Sequence, residues 1–540
     1  MSLLTVDDLT IGLPKGADRP HAVESVGFTL DPGEILCIVG ESGSGKSVSA
    51  NAIMGLLPRS LPVVRGGIRF DGQDLTRLPT EAMRRLRGAR LAMIFQEPMT
   101  ALNPLMRVGD QIQEVLQVHG RSDPGRVLAL LEAVNLPDPP ATARAYPFRL
   151  SGGQRQRVMI AMALALEPAL LIADEPTTAL DVTTQMQILR LIKDIQRRRG
   201  TGVLFITHDF GVVAEIADRV AVMQHGRIVE QGEASRVLGA PQHPYTKGLI
   251  AAVPHATAAL REAVPAGEPV LAVRGVEKTY FRSAGWFGKR SPVRAVHDAD
   301  FTIARGETLG LVGESGSGKS TLARCVVRLV QPEAGEIIFH GANLRTLSRT
   351  DWKPYRKRIQ MVFQDPFASL NPRRRVGDII ADGPITHGTS RREATARAAE
   401  LLRLVQLDPG AIDRFPHEFS GGQRQRIGIA RALAMDPELL IADEPVSALD
   451  VSVQAQVLKL LAELRARLGL TMLFITHDLR VAAQVCDRVA VMQGGAIVEQ
   501  GPTGAVFSAP RHPYTRALLD SIPGQNWTPP VQALETSGSA

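Results

Sequence analysis

Cysteine is scarce in this 540-residue sequence, and its scarcity argues against two kinds of site. The three cysteines, Cys37, Cys325 and Cys486, lie far apart and form no C-x-x-C pair. Disulfide frameworks and zinc or iron–sulfur centres need suitably spaced cysteines, so we expect none of them here. The pattern suits a reducing cytoplasm.

Aromatic residues and excess charge are also limited. Phe, Trp and Tyr make up 4% of the chain, which disfavours a surface on which nucleic-acid bases stack. The net charge of +7 is a mild excess for this length, and it permits contact with anionic surfaces without requiring it. We therefore expect no nucleic-acid partner.

Long apolar runs are missing as well. The longest, residues 158–166, stops at Glu167, short of the about 18 residues that a membrane-spanning helix needs. The N-terminus has neither the basic start nor the apolar core of a signal peptide. We expect a soluble chain, so any membrane-spanning part of its machinery must belong to other chains.

The sequence does contain two copies of one domain pattern in tandem. Lys46 and Lys319 lie in identical octapeptides 273 positions apart (319 − 46), and His208 and His477 lie 269 apart (477 − 208). So long a period indicates tandem duplication of a whole domain. We predict a first domain at 1–254, a linker at 255–268 with a helical pattern at 255–263, a second domain at 269–523 and a flexible tail at 524–540.

Within each copy, strand-like runs alternate with helical patterns. Continuous apolar runs such as residues 170–173 and 203–206 suit buried parallel strands with helices on both faces. Residues 6–11 and 67–70 read as more exposed, antiparallel strands. The helical pattern at 126–133 predicts an inserted helical lobe.

The octapeptide Gly-Glu-Ser-Gly-Ser-Gly-Lys-Ser fits the G-x-x-x-x-G-K-[ST] pattern of a P-loop. Each copy follows an apolar run and opens a predicted helix (48–57 and 321–330), where backbone N–H groups bind polyphosphate. The lysine would reach the β- and γ-phosphates, and the last serine would bind Mg²⁺. The predicted residues are Gly40, Ser42, Gly43, Gly45, Lys46 and Ser47, then Gly313, Ser315, Gly316, Gly318, Lys319 and Ser320.

Two carboxylates end an apolar strand in each copy, as Asp174-Glu175 and Asp443-Glu444. The C-terminal end of a parallel strand is the active edge of an α/β sheet. We predict that the aspartate holds Mg²⁺ through water and that the glutamate polarises an attacking water. The alternative is a strand that ends in a solvated acidic turn.

A glutamine and a histidine end further apolar runs, as Gln96 and His208 and again as Gln364 and His477. A glutamine amide can reach Mg²⁺ or the water while its loop moves. Alone, either residue type would be unremarkable. The histidine stands 34 residues after the aspartate in both copies (208 − 174 and 477 − 443), which favours a role at the γ-phosphate.

A Ser-Gly-Gly-Gln turn precedes Arg-Gln-Arg and an apolar helical pattern in each copy. Such a capped helix N-terminus is a second design for binding an anion, and the alternative is a plain helix cap. The residues assigned to this turn are Ser151, Gly153 and Gln154, then Ser420, Gly422 and Gln423.

These motifs, with Ala-Leu-Asp at 179–181 and 448–450, resemble in type and order those of ABC-type ATP-binding domains over nearly the whole chain. The resemblance implies an α/β fold of two tandem P-loop NTPase domains, each with a RecA-like core, an antiparallel β subdomain and a helical subdomain. It implies ATP and Mg²⁺ as cofactors, with the domains paired head to tail so that each ATP lies between one P-loop and the other copy's Ser-Gly-Gly-Gln turn.

The same resemblance assigns roles, and both sets are complete, so we expect both sites to hydrolyse ATP. Catalytic roles fall to Glu175, His208, Gln96, Glu444, His477 and Gln364. Metal binding falls to Ser47, Gln96, Asp174, Ser320, Gln364 and Asp443. One departure concerns adenine, which the family stacks on an aromatic residue: Tyr280 fills that place in the second copy, whereas the first copy has Leu13. We predict weaker adenine binding at the first site.

His-Pro-Tyr-Thr follows at 243–246 and 512–515 and resembles the C-terminal element of dipeptide/oligopeptide-importer ATPases. The element also reads as a clasp packed on the main domain. The resemblance implies the motor of an importer of peptides or peptide-like solutes. Its partners would be two transmembrane permease subunits and an extracytoplasmic solute-binding protein, and it would lie peripherally on the cytoplasmic face of the bacterial inner membrane.

Two other classes compete with this interpretation. Tandem ABC proteins that act on ribosomes carry a long charged linker and usually Asn-His-Leu-Asp, where this chain has a short linker and Thr-Ala-Leu-Asp at 178–181. ABC ATPases of DNA repair need zinc-type cysteines that are absent here. Both classes are therefore disfavoured.

Overall fold

The computed structural model describes residues 2–121, 123–177, 180–254, 268–282, 291–365, 369–447, 449–525 and 527. The strands of the first half are β1 (Leu4–Gly12), β2 (His21–Leu30), β3 (Ile35–Val39), β4 (Val63–Phe70), β5 (Gln73–Asp74), β6 (Leu91–Ile94), β7 (Leu170–Asp174), β8 (Gly202–Thr207), β9 (Arg219–Gln224) and β10 (Arg227–Glu233). Its helices are α1 (Lys46–Ile53), α2 (Thr80–Leu86), α3 (Pro98–Ala101), α4 (Val108–Val118), α5 (Pro124–Ala133), α6 (Pro139–Arg144), α7 (Gly152–Ala163), α8 (Val182–Arg199), α9 (Phe210–Ile216), α10 (Ala234–Gly239) and α11 (Pro244–Ala251).

The second half repeats this plan. Its strands are β11 (Pro269–Arg282), β12 (Ser291–Ala304), β13 (Thr308–Val312), β14 (Ala334–Phe339), β15 (Ala342–Asn343), β16 (Ile359–Val362), β17 (Leu439–Asp443), β18 (Thr471–Thr476), β19 (Arg488–Gln493) and β20 (Ala496–Pro502). Its helices are α12 (Lys319–Val326), α13 (Tyr355–Arg358), α14 (Val376–Thr386), α15 (Arg391–Leu404), α16 (Gly421–Leu433), α17 (Val451–Leu468), α18 (Leu479–Val485), α19 (Thr503–Ser508) and α20 (Pro513–Asp520).

Each half contains a small antiparallel sheet and a larger, mainly parallel one. The small sheets run β2-β1-β4-β5 and β12-β11-β14-β15, and the large ones run β10-β9-β3-β8-β7-β6 and β16-β17-β18-β13-β19-β20. Strand β3 lies between β8 and β9 and is parallel to both. The C-terminal ends of β3, β6, β7 and β8 therefore meet at one edge. The predicted parallel core and antiparallel subdomain are confirmed.

The large sheet is buried on both faces, which explains its continuous apolar strands. Every residue of β3 and β7 is buried. One face packs with the small sheet and α1, and the other packs with the helical lobe that contains α4, α5 and α7. Cys37, Cys325 and Cys486 are free thiols buried in these cores.

The helices after the P-loops differ from the prediction. Both α1 and α12 begin two residues earlier and end four residues earlier than the pattern indicated. They begin at the lysine because the preceding glycine, Gly45 in the first copy, takes a left-handed conformation. They end early because the backbone turns left-handed again at Gly55 (φ 61°) and at Arg328 (φ 55°), a common way to terminate a helix.

The two halves pack against each other reciprocally. Val182, at the start of α8, is buried in a core cluster of the second half, and Val451, at the start of α17, is buried in one of the first half. Trp527, in the predicted tail, also packs on the first half. Residues 255–267 of the predicted linker, and 526 and 528–540 of the tail, lie outside the described residues. Among the described residues, no helix is both long and apolar enough to cross a membrane.

Candidate nucleotide sites

The first P-loop connects β3 to α1 and depends on glycine at two tight positions. Gly40 has φ 153°, and a Cβ there would run into the carbonyl oxygen of Met223. Gly45 has φ 104°, and its Cβ would lie 2.7 Å from the carbonyl oxygen of Ala22. Gly43 (φ 77°) faces open space. Similar left-handed conformations recur at Gly313, Gly316 and Gly318.

The P-loop lysine is buried in its own loop. Lys46 Nζ donates hydrogen bonds to the carbonyl oxygens of Gly40 and Glu41, at 2.7 and 2.9 Å. Lys319 repeats both contacts at 2.7 Å. Burial lowers the pKa of both lysines, although nearby carboxylates partly oppose the shift. The two carbonyl oxygens thereby hold the ammonium group at the start of the P-loop.

The predicted metal-binding oxygens are adjacent in both halves. Ser47 Oγ donates to Asp174 Oδ1 at 3.0 Å, and Ser320 Oγ donates to Asp443 Oδ1 at 2.9 Å. Burial raises the pKa of Asp174 to about 6, although the bond from Ser47 opposes the rise. Burial likewise raises the pKa of Asp443. A carboxylate and a hydroxyl side by side are hard oxygen donors of the type that Mg²⁺ prefers.

The glutamine and histidine converge on the glutamate. Gln96 Nε2 donates to Glu175 Oε2 at 3.0 Å, and His208 Nδ1 lies 3.4 Å from Glu175 Oε1. The matching distances to Glu444 in the second half are 2.9 Å from the glutamine and 3.3 Å from the histidine. Burial alone would lower the pKa of His208, but its contact with the Glu175 carboxylate and the nearby charges of Asp209 and Asp450 together outweigh burial and raise that pKa.

The backbone of this glutamate is strained in both halves. Glu175 has φ 46° and Glu444 has φ 47°, in the left-handed region that costs a non-glycine residue roughly 1–3 kcal/mol. The N–H of Glu175 donates to the carbonyl oxygen of Ile206 at 3.0 Å, which ties this conformation to β8. Nothing in the sequence signalled it. This left-handed conformation sets the direction in which the side chain leaves the strand.

The Ser-Gly-Gly-Gln turns begin α7 and α16 with a full capping box. Ser151 Oγ accepts the N–H of Gln154 at 3.2 Å, and the Gln154 side chain accepts the N–H of Ser151 at 3.0 Å. Ser420 and Gln423 do the same. The plain helix cap is thus real.

Hydrogen bonds join the first P-loop to the second half. The N–H and Oγ of Ser42 both donate to Asp450 Oδ1, at 3.1 and 3.0 Å. Ser452 Oγ donates to the side chain of Glu41. These partners come from the start of α17, which follows the second Ala-Leu-Asp repeat. The sequence contains that repeat but does not predict its contact with the P-loop.

The second P-loop is contacted at the position that matches Ser452 and Glu41. Thr183 of the first half donates to Glu314. The Ser-Gly-Gly-Gln turn lies directly behind this contact, because a Cβ at Gly153 would lie 3.0 Å from the Thr184 side chain and one at Gly422 would overlap Val453. Each turn therefore packs on the helix that touches the other half's P-loop.

The predicted adenine residues differ in exposure. Tyr280 is 41% exposed on β11, and its ring centre lies 5.7 Å from Lys278 Nζ. Leu13, which follows β1, is half-buried. The stacking role of Tyr280 remains a prediction.

The His-Pro-Tyr-Thr element caps α11 and α20. His243 Nδ1 accepts the N–H of Tyr245 at 3.2 Å, and Glu230 accepts the N–H groups of Gln242 and His243, at 2.7 and 3.0 Å. The element is thereby fastened to β10. The tyrosine hydroxyl reaches the P-loop residue Glu41, a contact across 204 positions that no local sequence signal announces.

The chain matches two protein families and several known proteins. A family described as ABC transporter matches residues 23–178 and 296–447, and one described as Oligopeptide/dipeptide transporter, C-terminal region, matches 229–278 and 498–535. Glutathione import ATP-binding protein GsiA of Salmonella choleraesuis is 48% identical over 557 residues, covering 96% of this chain and 89% of that protein. The GsiA protein of Escherichia coli O157:H7 is 48% identical over 558 residues, covering 97% and 90%.

Among solved structures, cbiO1 from Clostridium perfringens, part of the ABC transporter complex cbiONQ, is 30% identical and covers 45% of this chain and 92% of its own, with a TM-score of 0.40. The ABC transporter matches include one segment in each half and together span more than half of the chain, and the C-terminal-region matches include both His-Pro-Tyr-Thr elements. The chain is therefore an ATP-binding protein of the ABC transporter family, of the dipeptide/oligopeptide importer type, and it acts as the ATP-hydrolysing motor of an importer.

Proposed function

We propose that this motor works through two composite sites, each shared between a P-loop of one half and the other half. The supporting observation is the pair of hydrogen bonds from Ser42 to Asp450, with Ser452 bound to Glu41 beside it. Because the P-loop is hydrogen-bonded to the opposite half, its conformation depends on whether the halves are closed. The Ser-Gly-Gly-Gln turns pack behind these contacts, so closure brings each turn towards the opposite nucleotide.

Within each site, the chain's own groups have separate tasks. In the first, the P-loop N–H groups and Lys46 bind the β- and γ-phosphates. Glu175 accepts a proton from the attacking water, which is general-base catalysis. Gln96 and His208 orient that carboxylate, since both contact it. Lys319, Glu444, Gln364 and His477 take the same roles in the second site.

The residues present also fit Mg²⁺. Ser47 with Asp174, and Ser320 with Asp443, place a hydroxyl beside a carboxylate at 3.0 and 2.9 Å. We assign Mg²⁺ to these pairs. We assign Gln96 and Gln364 as further ligands, since each contacts the glutamate that follows the metal-binding aspartate. When bound, the ion would supply positive charge to the phosphates.

We further propose that the chain binds two transmembrane permease subunits at the cytoplasmic face of the inner membrane, with an extracytoplasmic solute-binding protein supplying the solute. The supporting observations are the His-Pro-Tyr-Thr elements and the relatives named for glutathione import. A short peptide such as glutathione is therefore the proposed solute. Closure of the halves would move the permeases, and hydrolysis would reset them.

The test is reconstitution. The tagged full-length chain is co-expressed with its genomically neighbouring permease genes, purified from membranes, and placed in liposomes with the neighbouring solute-binding protein. Glutathione or a dipeptide should accumulate in the liposomes with ATP, and the Glu175→Gln/Glu444→Gln variant should abolish uptake. ATP-dependent sedimentation of the chain with ribosomes, without membrane recovery, would contradict the proposal.

A further inference from the structure

One arginine contacts the turns that follow both site histidines. Arg480 of the second half donates from Nη1 and Nη2 to the two carboxylate oxygens of Asp209 in the first half, at 3.2 and 2.9 Å. The same guanidinium donates to Asp478 of its own half, from Nε at 3.2 Å and from Nη2 at 3.1 Å. Asp209 follows His208, and Asp478 follows His477. We call residues 207–209 and 476–478 the histidine turns. A single cation therefore joins the two histidine turns across the interface between the halves.

These three side chains are nearly enclosed. Arg480, Asp209 and Asp478 are 11%, 16% and 20% exposed. Burial alone would raise the pKa of Asp209, but the Arg480 guanidinium, together with the Gly211 N–H and His208, outweighs burial and lowers that pKa, so the carboxylate is charged. The pKa of Arg480 is raised because its two carboxylate partners outweigh its burial. A two-pronged bond between a planar guanidinium and a carboxylate is both strong and directional.

The duplication is broken at this position. The residue of the first half that corresponds to Arg480 is Gly211 (480 − 269). A Cβ on Gly211 would lie 2.6 Å from the carbonyl oxygen of Pro523 and 2.7 Å from Arg480 Nη1, so the second half fills the space that a side chain would need. The interface therefore accommodates one arginine for two aspartates, and the second half supplies it.

We propose that Arg480 is a positioning residue that couples the two ATP sites by binding both histidine turns while the halves are closed. The inference rests on the composite sites proposed above. Without the guanidinium, Asp209 and Asp478 would remain as two buried like charges in the same region, which opposes closure. Movement of either histidine turn is transmitted to the other through the shared cation.

Charge exchange in the full-length chain tests the contact. Arg480→Asp places three carboxylates together, and Asp209→Arg places two guanidinium groups together, so each alone should lower kcat for ATP about tenfold or more. The double variant restores opposite charges across the interface, and its kcat should return to within about threefold of the parent. A double variant as slow as the single variants would overturn the proposal.

A neutral change tests the coupling. We expect a Hill coefficient for ATP hydrolysis above one in the parent and about one in Arg480→Met, because the two sites then act independently. The matched control is Arg465→Met, which removes the partly buried ion pair with Asp487 (2.6 Å) inside the second half and should leave the Hill coefficient unchanged. Cooperativity equal to the parent's in Arg480→Met would overturn the proposal. If the charge-exchange variants do not fold, the Arg480→Met measurement alone decides the proposal.

The Glu175→Gln/Glu444→Gln variant separates this inference from the proposed function. Loss of turnover in that variant, together with unchanged cooperativity in Arg480→Met, would remove the coupling role and leave the sites intact. Turnover at the parent's rate in the glutamine variant would contradict the sites themselves.

Discussion

The hydroxyl of Tyr245 accepts a hydrogen bond from the backbone N–H of Glu41 at 3.1 Å, although 204 positions separate the two residues. The same hydroxyl lies 3.3 Å from the Glu41 carboxylate, to which it donates. Tyr514 repeats the first contact with Glu314 at 3.1 Å. Because Glu41 also binds Ser452 of the second half, the C-terminal element supports its P-loop where that loop meets the other half.

Replacing Tyr245 with Phe should weaken ATP binding at the first site while the ring packing survives. Each of the two hydrogen bonds that the hydroxyl makes with Glu41 contributes about 0.5–1.5 kcal/mol, so losing both corresponds to an affinity loss of about 5- to 150-fold. Titration calorimetry in the Glu175→Gln/Glu444→Gln background measures it without turnover. Tyr146→Phe is the control, since that ring stacks on Phe148 between α6 and α7. An equal loss in both variants would contradict a specific role.

Both sites should contribute to turnover. Their glutamates have matching contacts, so Glu175→Gln and Glu444→Gln should each lower the ATPase rate to half or less. The double variant should fall about 10²- to 10⁴-fold, the usual effect of losing a general base. Steady-state phosphate release by the purified chain measures all three. If one single variant kept the parent's rate, the site that it alters would be silent.

Adenine binding should be uneven between the sites. Leu13→Tyr would give the first site the aromatic residue that it lacks, and stacking contributes about 1–3 kcal/mol per base, so affinity there should rise about 5- to 150-fold. Tyr280→Leu is the reciprocal change and should weaken the second site by a similar factor. Fluorescent ATP titration resolves the two affinities. Unchanged affinity in Leu13→Tyr would refute the prediction.

The sequence was informative where chemistry follows local rules. Positive φ at Gly40 and Gly45, and the meeting of Ser47 with Asp174, follow from the P-loop pattern and from strand ends sharing one sheet edge. Contacts such as Tyr245 to Glu41 and Arg480 to Asp209 depend on how distant elements pack, and periodicity carries no information about that. The substitution of Gly211 for the arginine in the repeat was visible in the sequence, but its meaning required the interface.

Acid should narrow the stability gap between the parent and Arg480→Met. In the parent, Arg480 holds the pKa of Asp209 below its usual value, so its stabilisation is full above the unfolded pKa and is lost as pH falls through the folded pKa. In the variant burial remains without the cation, so the folded pKa should rise above the unfolded one. That carboxylate then destabilises at neutral pH, and protonation relieves the penalty. Calorimetric Tm values should therefore converge from pH 7 to about pH 4. A constant difference would contradict this assignment.

Gly211→Ala tests how closely the second half packs against α9 of the first half. Alanine is favoured over glycine in a helix by about 1 kcal/mol, which alone would stabilise α9. Here, however, the added Cβ would lie 2.6 Å from the backbone oxygen of Pro523, and overpacking of this kind costs about 1–3 kcal/mol. Because backbone yields less than a flexible side chain, we expect a net loss and a lower Tm. Gly248→Ala in α11 is the matched control, since its Cβ would meet nothing within 4 Å and it should raise Tm. Equal gains in both variants would show that the halves separate readily at this point.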